Sequence, residues 1–269
     1  MRQGTDGIRK GSGLDAALNG VSLLSLDPRL TLTEAQELPS RESPVSSRAS
    51  LHGQFPSGLR RKSLEIRLTV HLKAWKAEER SALYEKLCAW AKAGELTVSW
   101  RPGQVLQVDT AYAENLPSVS AWTKTVTVRL TAHLRPFFRD REPLFLKGTG
   151  YDMTLTFTAP GTAGAQCEFR AVNQETRELT EILLETLKGG DQLSFLYLAG
   201  LHIPAGGCLD GAYDGFGLLT LRADGESCMT ARDPSSADEL ILLSGEEMRL
   251  HLWALRKVRL EARIYGLHA

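Results

Sequence analysis

The side chains of this chain best suited to metal ligation or nucleophilic attack are six histidines, His52, His71, His133, His202, His251 and His268, and four cysteines, Cys88, Cys167, Cys208 and Cys228. Their spacing argues against both uses. No His-x-x-x-His pair, no His-Glu pair and no Cys-x-x-Cys occurs, and the nearest cysteines, Cys208 and Cys228, stand twenty positions apart, so a zinc site has no ligand set. Reduced thiols are expected, with a Cys208–Cys228 disulfide as the alternative. Gly11-Ser12-Gly13 lacks the third glycine and the preceding strand of a dinucleotide fold, and no Gly-Lys-Ser/Thr loop or Gly-x-Ser-x-Gly elbow is present to cradle a phosphate or expose a serine. Asp214-Gly215-Phe216-Gly217 resembles a kinase triplet without a kinase context and reads as a hairpin tip. Asp210, Asp214, Asp224 and Glu226 do not match a calcium loop and are ordinary β-turn residues. The expectation is no catalytic residue, no metal and no cofactor.

Two further groups have the right chemistry for binding. Trp75, Trp90, Trp100, Trp122 and Trp253 offer flat apolar surface for a sugar or a base. By periodicity Trp90 and Trp100 face a core, whereas for Trp75, Trp122 and Trp253 the choice between packing and binding is left open by the sequence. Arg60-Arg61-Lys62 is the densest basic cluster and is the candidate assembly contact. It would be either a solvated hairpin end or a meeting point for an acidic neighbour or a passing DNA backbone.

The elements that would position these residues are mostly strands. Leu64, Ile66, Leu68, Val70 and Leu72 alternate with Glu65, Arg67, Thr69 and His71, the pattern of a half-buried strand. Lys76 to Ala93 is the one convincing helix, with Leu83, Leu87, Trp90 and Ala91 on one stripe, Glu78 and Glu79 in its first turn, and Gly94 as the expected left-handed stop. Leu96, Val98 and Trp100 then alternate into Arg101-Pro102-Gly103, a turn that returns through Leu106 and Val108. A long strand follows from Trp122 to Leu134, with His133 on its polar face, and Arg135-Pro136-Phe137-Phe138 closes the region.

Glu142-Pro143 and Gly148-Thr149-Gly150 form the best linker, giving expected domains of residues 1–142 and 143–269. Beyond it, short runs at Met153 to Phe157, Cys167 to Val172, Leu179 to Leu187, Gln192 to Leu198, Gly217 to Leu221, Glu239 to Leu243, Met248 to Ala254 and Lys257 to Tyr265 predict an antiparallel sandwich or jelly roll. The first twenty residues read as an arm, and Pro39 to Ser50 as a loop suited to contacts between subunits.

At 269 residues, 42% hydrophobic and 24% charged, the composition is that of a globular protein large enough for two domains. No run of about 18 apolar residues suggests a membrane span, and the polar N-terminal region does not read as a signal peptide. The 32 basic and 32 acidic residues cancel overall. Residues 1–142 nevertheless carry 21 Lys and Arg against 15 Asp and Glu, and residues 143–269 carry 11 against 17. Opposite charges of six on the two halves can orient a subunit in an assembly, within the roughly 8 Å reach of charge at physiological salt.

The order of these parts resembles a known family. Asn19-Gly20-Val21-Ser22-Leu23, Arg61-Lys62-Ser63-Leu64-Glu65-Ile66, the helix ending in Trp90, Leu96-Thr97-Val98 into Arg101-Pro102-Gly103, and Arg135-Pro136-Phe137-Phe138 look like the N-terminal part of the distal tail (Dit-type) proteins of long-tailed, siphovirus-like phages. Ala159-Pro160-Gly161-Thr162 and Ser236-Ala237-Asp238-Glu239-Leu240 are similar to the second domain of that family. The resemblance covers nearly the full chain and lies in the order and spacing of the motifs.

What the resemblance implies is a mainly β protein: an α+β N-terminal domain, a split β-barrel with one helix, followed by an antiparallel galectin-like or jelly-roll β-sandwich. The family-matching structural residues are Trp90, Arg101, Pro102, Gly103, Pro136, Phe137 and Phe138. It further implies a structural, non-enzymatic virion tail protein made in the host bacterial cytoplasm. Six copies would form a ring joining the tail-tube protein to the tail-tip or baseplate hub protein, with DNA only as passing cargo and no membrane insertion. In such a ring the Thr-rich faces of residues 64–72 and 126–134 are expected to approach the lumen. The alternative function is a carbohydrate-binding module that grips host cell-wall glycans through the second domain, for example through Trp253.

Overall fold

The computed structural model describes residues 8–11, 13–41, 61–115, 122–214 and 218–269. The chain divides into two compact units, Met1–Phe138 and Arg139–Ala269. The division falls at the Phe138/Arg139 bond, a few residues before Glu142-Pro143.

The first unit begins with three short strands, β1 (Arg9–Lys10), β2 (Ala16–Leu18) and β3 (Val21–Ser22), then the long β4 (Leu30–Arg41) and β5 (Arg61–Lys73). Helix α1 (Ala77–Trp90) precedes β6 (Gly94–Val98), β7 (Gln104–Val108), β8 (Thr110–Asn115) and β9 (Thr123–Ala132). One sheet runs β1-β4-β5-β9-β8, all antiparallel. A second runs β7-β6-β2-β3. The alternation in β5 and β9 buries Leu64, Ile66, Leu68, Val70 and Leu72 beside Val126, Val128, Leu130 and Ala132, and the stripe of α1 adds Leu83, Leu87 and Trp90 to the same core. Each Leu, Ile or Val so buried contributes about 1.5–3 kcal/mol.

Two local expectations change here. The helix stops at Trp90, with the Ala91 N–H bonded to the Leu87 carbonyl, and Gly94 opens β6 rather than capping α1. Gly94 has φ +148°, and an added Cβ would fall onto the Asn19 side chain, which bonds the Ala93 carbonyl and the Glu95 N–H. Asn19 and Gly20, both at positive φ, make the two-residue turn joining β2 to β3. The second change is in β4, which continues through Pro39, Ser40 and Arg41 opposite Leu64, Ser63 and Arg61. A bulge between Leu32 and Glu34 breaks the alternation, with the Thr33 hydroxyl donating to the Thr69 carbonyl, so the second half of the strand does not read as one.

Strand β10 (Phe138–Asp140) leads out of the first unit. The second unit holds β11 (Leu144–Thr158), β12 (Gly164–Asn173), β13 (Leu179–Lys188), β14 (Asp191–Ile203), β15 (Cys208–Tyr213), β16 (Leu219–Ala223), β17 (Glu226–Ser227) and β18 (Glu247–His268). A 3-10 turn covers Met229–Ala231. The 22-residue β18 organises the unit. One side of β18 pairs with β11 along nearly its whole length. The other side pairs with β12 over Val258–Leu267 and with β13 over Arg249–Ala254. Two antiparallel sheets therefore grow from one ribbon: β12-β15-β16-β17 from its C-terminal half and β13-β14 from its N-terminal half. Between them lie Met248, Leu250, Leu252, Val258, Leu260 and Ile264 of β18 with Ile182, Leu184, Leu196 and Leu198. The fold is mainly β and antiparallel, as expected.

Three details differ from expectation. Gly148-Thr149-Gly150 is no linker but lies inside β11, where Met153 and Leu155 crowd Gly148 and the ribbon shifts register after Gly150. Met248 to Ala254 and Lys257 to Tyr265 are one strand, because β11 bridges the irregular stretch between them. Glu239 to Leu243 alternates yet forms no strand: Leu240 and Leu242 are buried, and the backbone is tied by the Ser194 hydroxyl accepting from Ile241 N–H and the Leu242 carbonyl accepting from Ala165 N–H.

Candidate assembly site

The β6–β7 turn is built on two backbone bonds, Arg101 N–H to the Val98 carbonyl at 3.1 Å and Gln104 N–H to the Arg101 carbonyl at 3.3 Å. Pro102 and Gly103 form its exposed tip. Gly103 adopts φ +77° with open space around it, so the backbone conformation alone favours glycine there. The turn directs Trp100 and Arg101 at Glu37 of β4. Trp100 Nε1 and Arg101 Nε donate to Glu37 Oε1, each at 2.8 Å, and Arg101 Nη2 donates to Oε2 at 2.5 Å. The Arg101 guanidinium also sits 4.6 Å from the centre of the fully buried Phe138 ring. Burial pushes the Glu37 carboxyl upward, but the bonds from Arg101 and Trp100 and the Arg101 charge outweigh it, and the group titrates below its ordinary value.

Of the residues predicted from sequence, Arg101 and Phe138 thus come together, with Pro136 buried and Phe137 half-buried beside Phe138 in the chain. Glu37, their anion, escaped sequence reading because its strand was hidden by the Thr33 bulge. Trp90 serves another place in the same unit. Its Nε1 donates to the Val21 carbonyl at 2.7 Å, and it lines an open groove of about 410 Å³ with Leu18, Val21, Leu26, Ala89 and Lys86. Lys86 Nζ meets Asp27 Oδ2 at 2.9 Å, and Arg29 meets the same carboxylate. Those cations hold Asp27 well below the usual carboxylate range although burial opposes them. Arg60 lies outside the described residues, as do the side chains of Arg61 and Lys62 at the start of β5.

The outward face of the five-stranded sheet is a charge-balanced network. Arg67 stands directly opposite Arg129, a repulsive placement by itself. Glu65 offsets it, accepting from Arg67 at 2.9 Å and lying 3.5 Å from Arg129, and Glu114 meets Arg129 at 2.9 Å. The expected lumen-facing threonines divide: Thr125 and Thr127 keep only 9% and 6% of their surface within the single chain, whereas Thr69, His71 and Thr131 stay partly open. Tyr112 on β8 is half exposed. The face open to a neighbour is therefore arginine, glutamate and tyrosine as much as threonine.

In the second unit the remaining chemically suggestive residues have structural occupations. Asp210 pairs with Arg170 at 2.6 Å, Asp214 accepts from Leu218 N–H, and Asp224 accepts from Cys208 N–H. Asp210 and Asp224 thereby brace strand ends and turns. All four cysteines are free thiols, and burial pushes Cys167 up to about 12. Among the described residues, no group of three or more His, Cys, Asp or Glu is arranged to hold a metal, and no helix is long and apolar enough to cross a membrane. Trp75 and Trp122 are exposed and meet edge to face, while Trp253 is half-buried on β18. His251 bridges two carboxylates, Nδ1 to Glu185 at 2.6 Å and Nε2 to Asp152 at 2.8 Å.

No family model matches the chain, and no curated protein sequence matches it. Among solved structures it is similar to the crystal structure of SPP1 Dit, described as a paradigm of the hub adsorption apparatus in phages infecting Gram-positive hosts. The TM-score is 0.63 at 13% identity, over 93% of this chain and 98% of that one. Over that span the chain shares that fold. Chains of the phage p2 baseplate in its activated conformation align over 88% of this chain with calcium and 94% with strontium, and over 90% and 97% of their own lengths. Their TM-scores are 0.38 and 0.40 at 8% and 9% identity, too low to define a common fold.

Proposed function

We propose that this protein is a structural component of a phage tail, a ring subunit, six to the ring, that joins the tail tube to the tail tip or baseplate. The observation that carries the proposal is the match to SPP1 Dit over 93% of this chain and 98% of that one. A ring of identical subunits needs two different complementary surfaces, because head-to-tail contacts close only when the rotation closes. The five-stranded sheet supports this: β8 bounds it on one side and β1 with β4 on the other, so two unlike edges are offered from one rigid layer. The clasp of Glu37 by Trp100 and Arg101 ties that layer to the β6–β7 turn, so the two would move together in a joint between tube and hub. Its partners are then copies of itself, the tail-tube protein and the hub protein, with DNA passing through the lumen and no chemical step carried out by the chain.

Negative-stain electron microscopy of the purified protein tests this. Six-fold rings with a central hole support the proposal. Single particles the size of one chain at every concentration, with no ring at the matching level of assembled tails, contradict it.

A further inference from the structure

The sheet that grows from the C-terminal half of β18 carries a row of alternating charge on its outer face. Lys147 of β11, Glu261 of β18, Arg170 of β12, Asp210 of β15 and Arg222 of β16 are successive cross-strand partners, and direct partners in an antiparallel sheet point to the same side. Their chain neighbours Leu260, Phe169, Ala171, Leu209 and Leu221 fill the core, so the row points out. It reads plus, minus, plus, minus, plus across five strands. The next row repeats the pattern out of phase, with Arg263 of β18 opposite Glu168 of β12. Within the chain Lys147 meets Glu261 at 3.6 Å and Arg170 meets Asp210 at 2.6 Å, yet Lys147 and Arg170 remain 55% and 56% exposed. Arg222 and Arg263 are exposed as well.

We infer that this face docks on the same face of a second copy of the chain, about a two-fold axis that runs along the strands between β18 and β12. Such an axis keeps each row opposite itself and reverses the order of the strands, so β11 faces the other copy's β15 and β18 faces its β12. A twisted sheet turned about an axis along its strands presents the same saddle, so the two faces keep an even spacing of about 10 Å.

The charges decide the offset. An axis on β12 sets Arg170 against Arg170 and Glu261 against Asp210, and an axis on β18 sets Glu261 against Glu261 and Lys147 against Arg170, like charges that cost affinity. The axis between them sets Lys147 against Asp210, Glu261 against Arg170 and Arg263 against Glu168, each twice by symmetry. In the third row it sets Thr149 against Cys208 and Arg259 against Val172, so no like charges meet. An axis between β12 and β15 gives two kinds of opposite pair, Glu261 with Arg222 and Arg170 with Asp210, and leaves Arg263 opposite no acid. The pattern complements itself, which is why the occupant is a second copy: a polyanion laid on this face would meet Glu168, Asp210 and Glu261 as well as the arginines. Four strands overlap, about 19 Å across, and bury less than the roughly 1,200 Å² of a stable interface. The contact is accordingly weak between lone chains and gains strength where several copies engage together. It is independent of the ring proposal, whose contacts are head-to-tail and not two-fold.

Sedimentation of the full chain in low salt tests the inference. The native chain is expected to double its mass, from one chain to two or from one ring to two, and to lose the doubling at about 1 M salt, where charge reaches only roughly 3 Å. Lys147→Glu alone and Asp210→Lys alone each set like charges face to face twice, and each is expected to weaken the doubling about tenfold. Mixed one to one, the two variants place acid opposite base at both ends of the contact, and the doubling is expected to return to near its native strength. Arg263→Glu and Glu168→Lys form a second such couple, which decides the matter if circular dichroism shows that Asp210→Lys, deprived of its bond to Arg170, does not fold. A native chain that never doubles overturns the inference, and rings seen without doubling leave the ring proposal standing. Doubling unchanged in the single variants, variants that stay apart when mixed, or doubling that appears only when another tail protein is added each overturn it as well.

Discussion

Arg101 and Glu37, 64 positions apart in sequence, are joined by two charge-assisted hydrogen bonds, at 2.8 and 2.5 Å, with under a fifth of either side chain exposed. The pair connects the β6–β7 turn to β4 and lies against Phe138, so its loss should be felt as stability and not only as surface charge.

Replacing Arg101 by Leu leaves the Glu37 carboxylate with Trp100 as its remaining bond donor in a confined place. The expected cost is about 2–4 kcal/mol, measured by denaturant unfolding. Because the Glu37 carboxyl titrates below its ordinary 4.5, it adds stability above that pH and loses it as the pH falls through the lowered folded-state value. The difference between the native chain and Glu37→Gln should therefore be full at neutral pH and shrink in acid.

His251 predicts the opposite slope. Burial pulls its pKa down, but Asp152 and Glu185 more than offset this, and the net value is raised above 6.5. Its contribution is then fully present below the unfolded value and fades as the pH rises through the folded one. His251→Gln should lower the melting temperature most at mildly acidic pH and least in base. A difference that grows with pH would reject the assignment.

Gly94→Ala should destabilise the first unit by about 1–3 kcal/mol, since it forces an unfavourable φ and drives the new methyl into Asn19. Hydrogen exchange should quicken at Asn19 and Glu95, whose backbone and side-chain bonds depend on that approach.

Asn173 is fully buried and donates from Nδ2 to the carbonyls of Arg177, Ile203 and Pro204 while Oδ1 accepts from Glu175 N–H. Asn173→Ala strands these groups and should cost about 1–3 kcal/mol. Calorimetry on the full chain should show the loss in the transition assigned to the second unit.

The parts of the fold legible in the sequence are those with unbroken periodicity: β5 and β9 by their strict alternation, α1 by its stripe, and the β6–β7 turn by Arg101-Pro102-Gly103. Interruptions hid the rest. The Thr33 bulge concealed half of β4 and with it Glu37, the irregular stretch after Ala254 split β18 into two apparent strands, and Glu239 to Leu243 alternates because Leu240 and Leu242 fill the core from a loop. The candidate site was legible in half: Arg101 and Phe138 stand out by their motifs, but a carboxylate 64 positions away carries no local signal that names its partner.

Native mass spectrometry of the purified protein tests the proposed closed ring most directly. A dominant species of six times the 29.6 kDa chain mass is expected, and a spectrum containing only the single-chain mass at concentrations well above those of the assembling tail would contradict the ring.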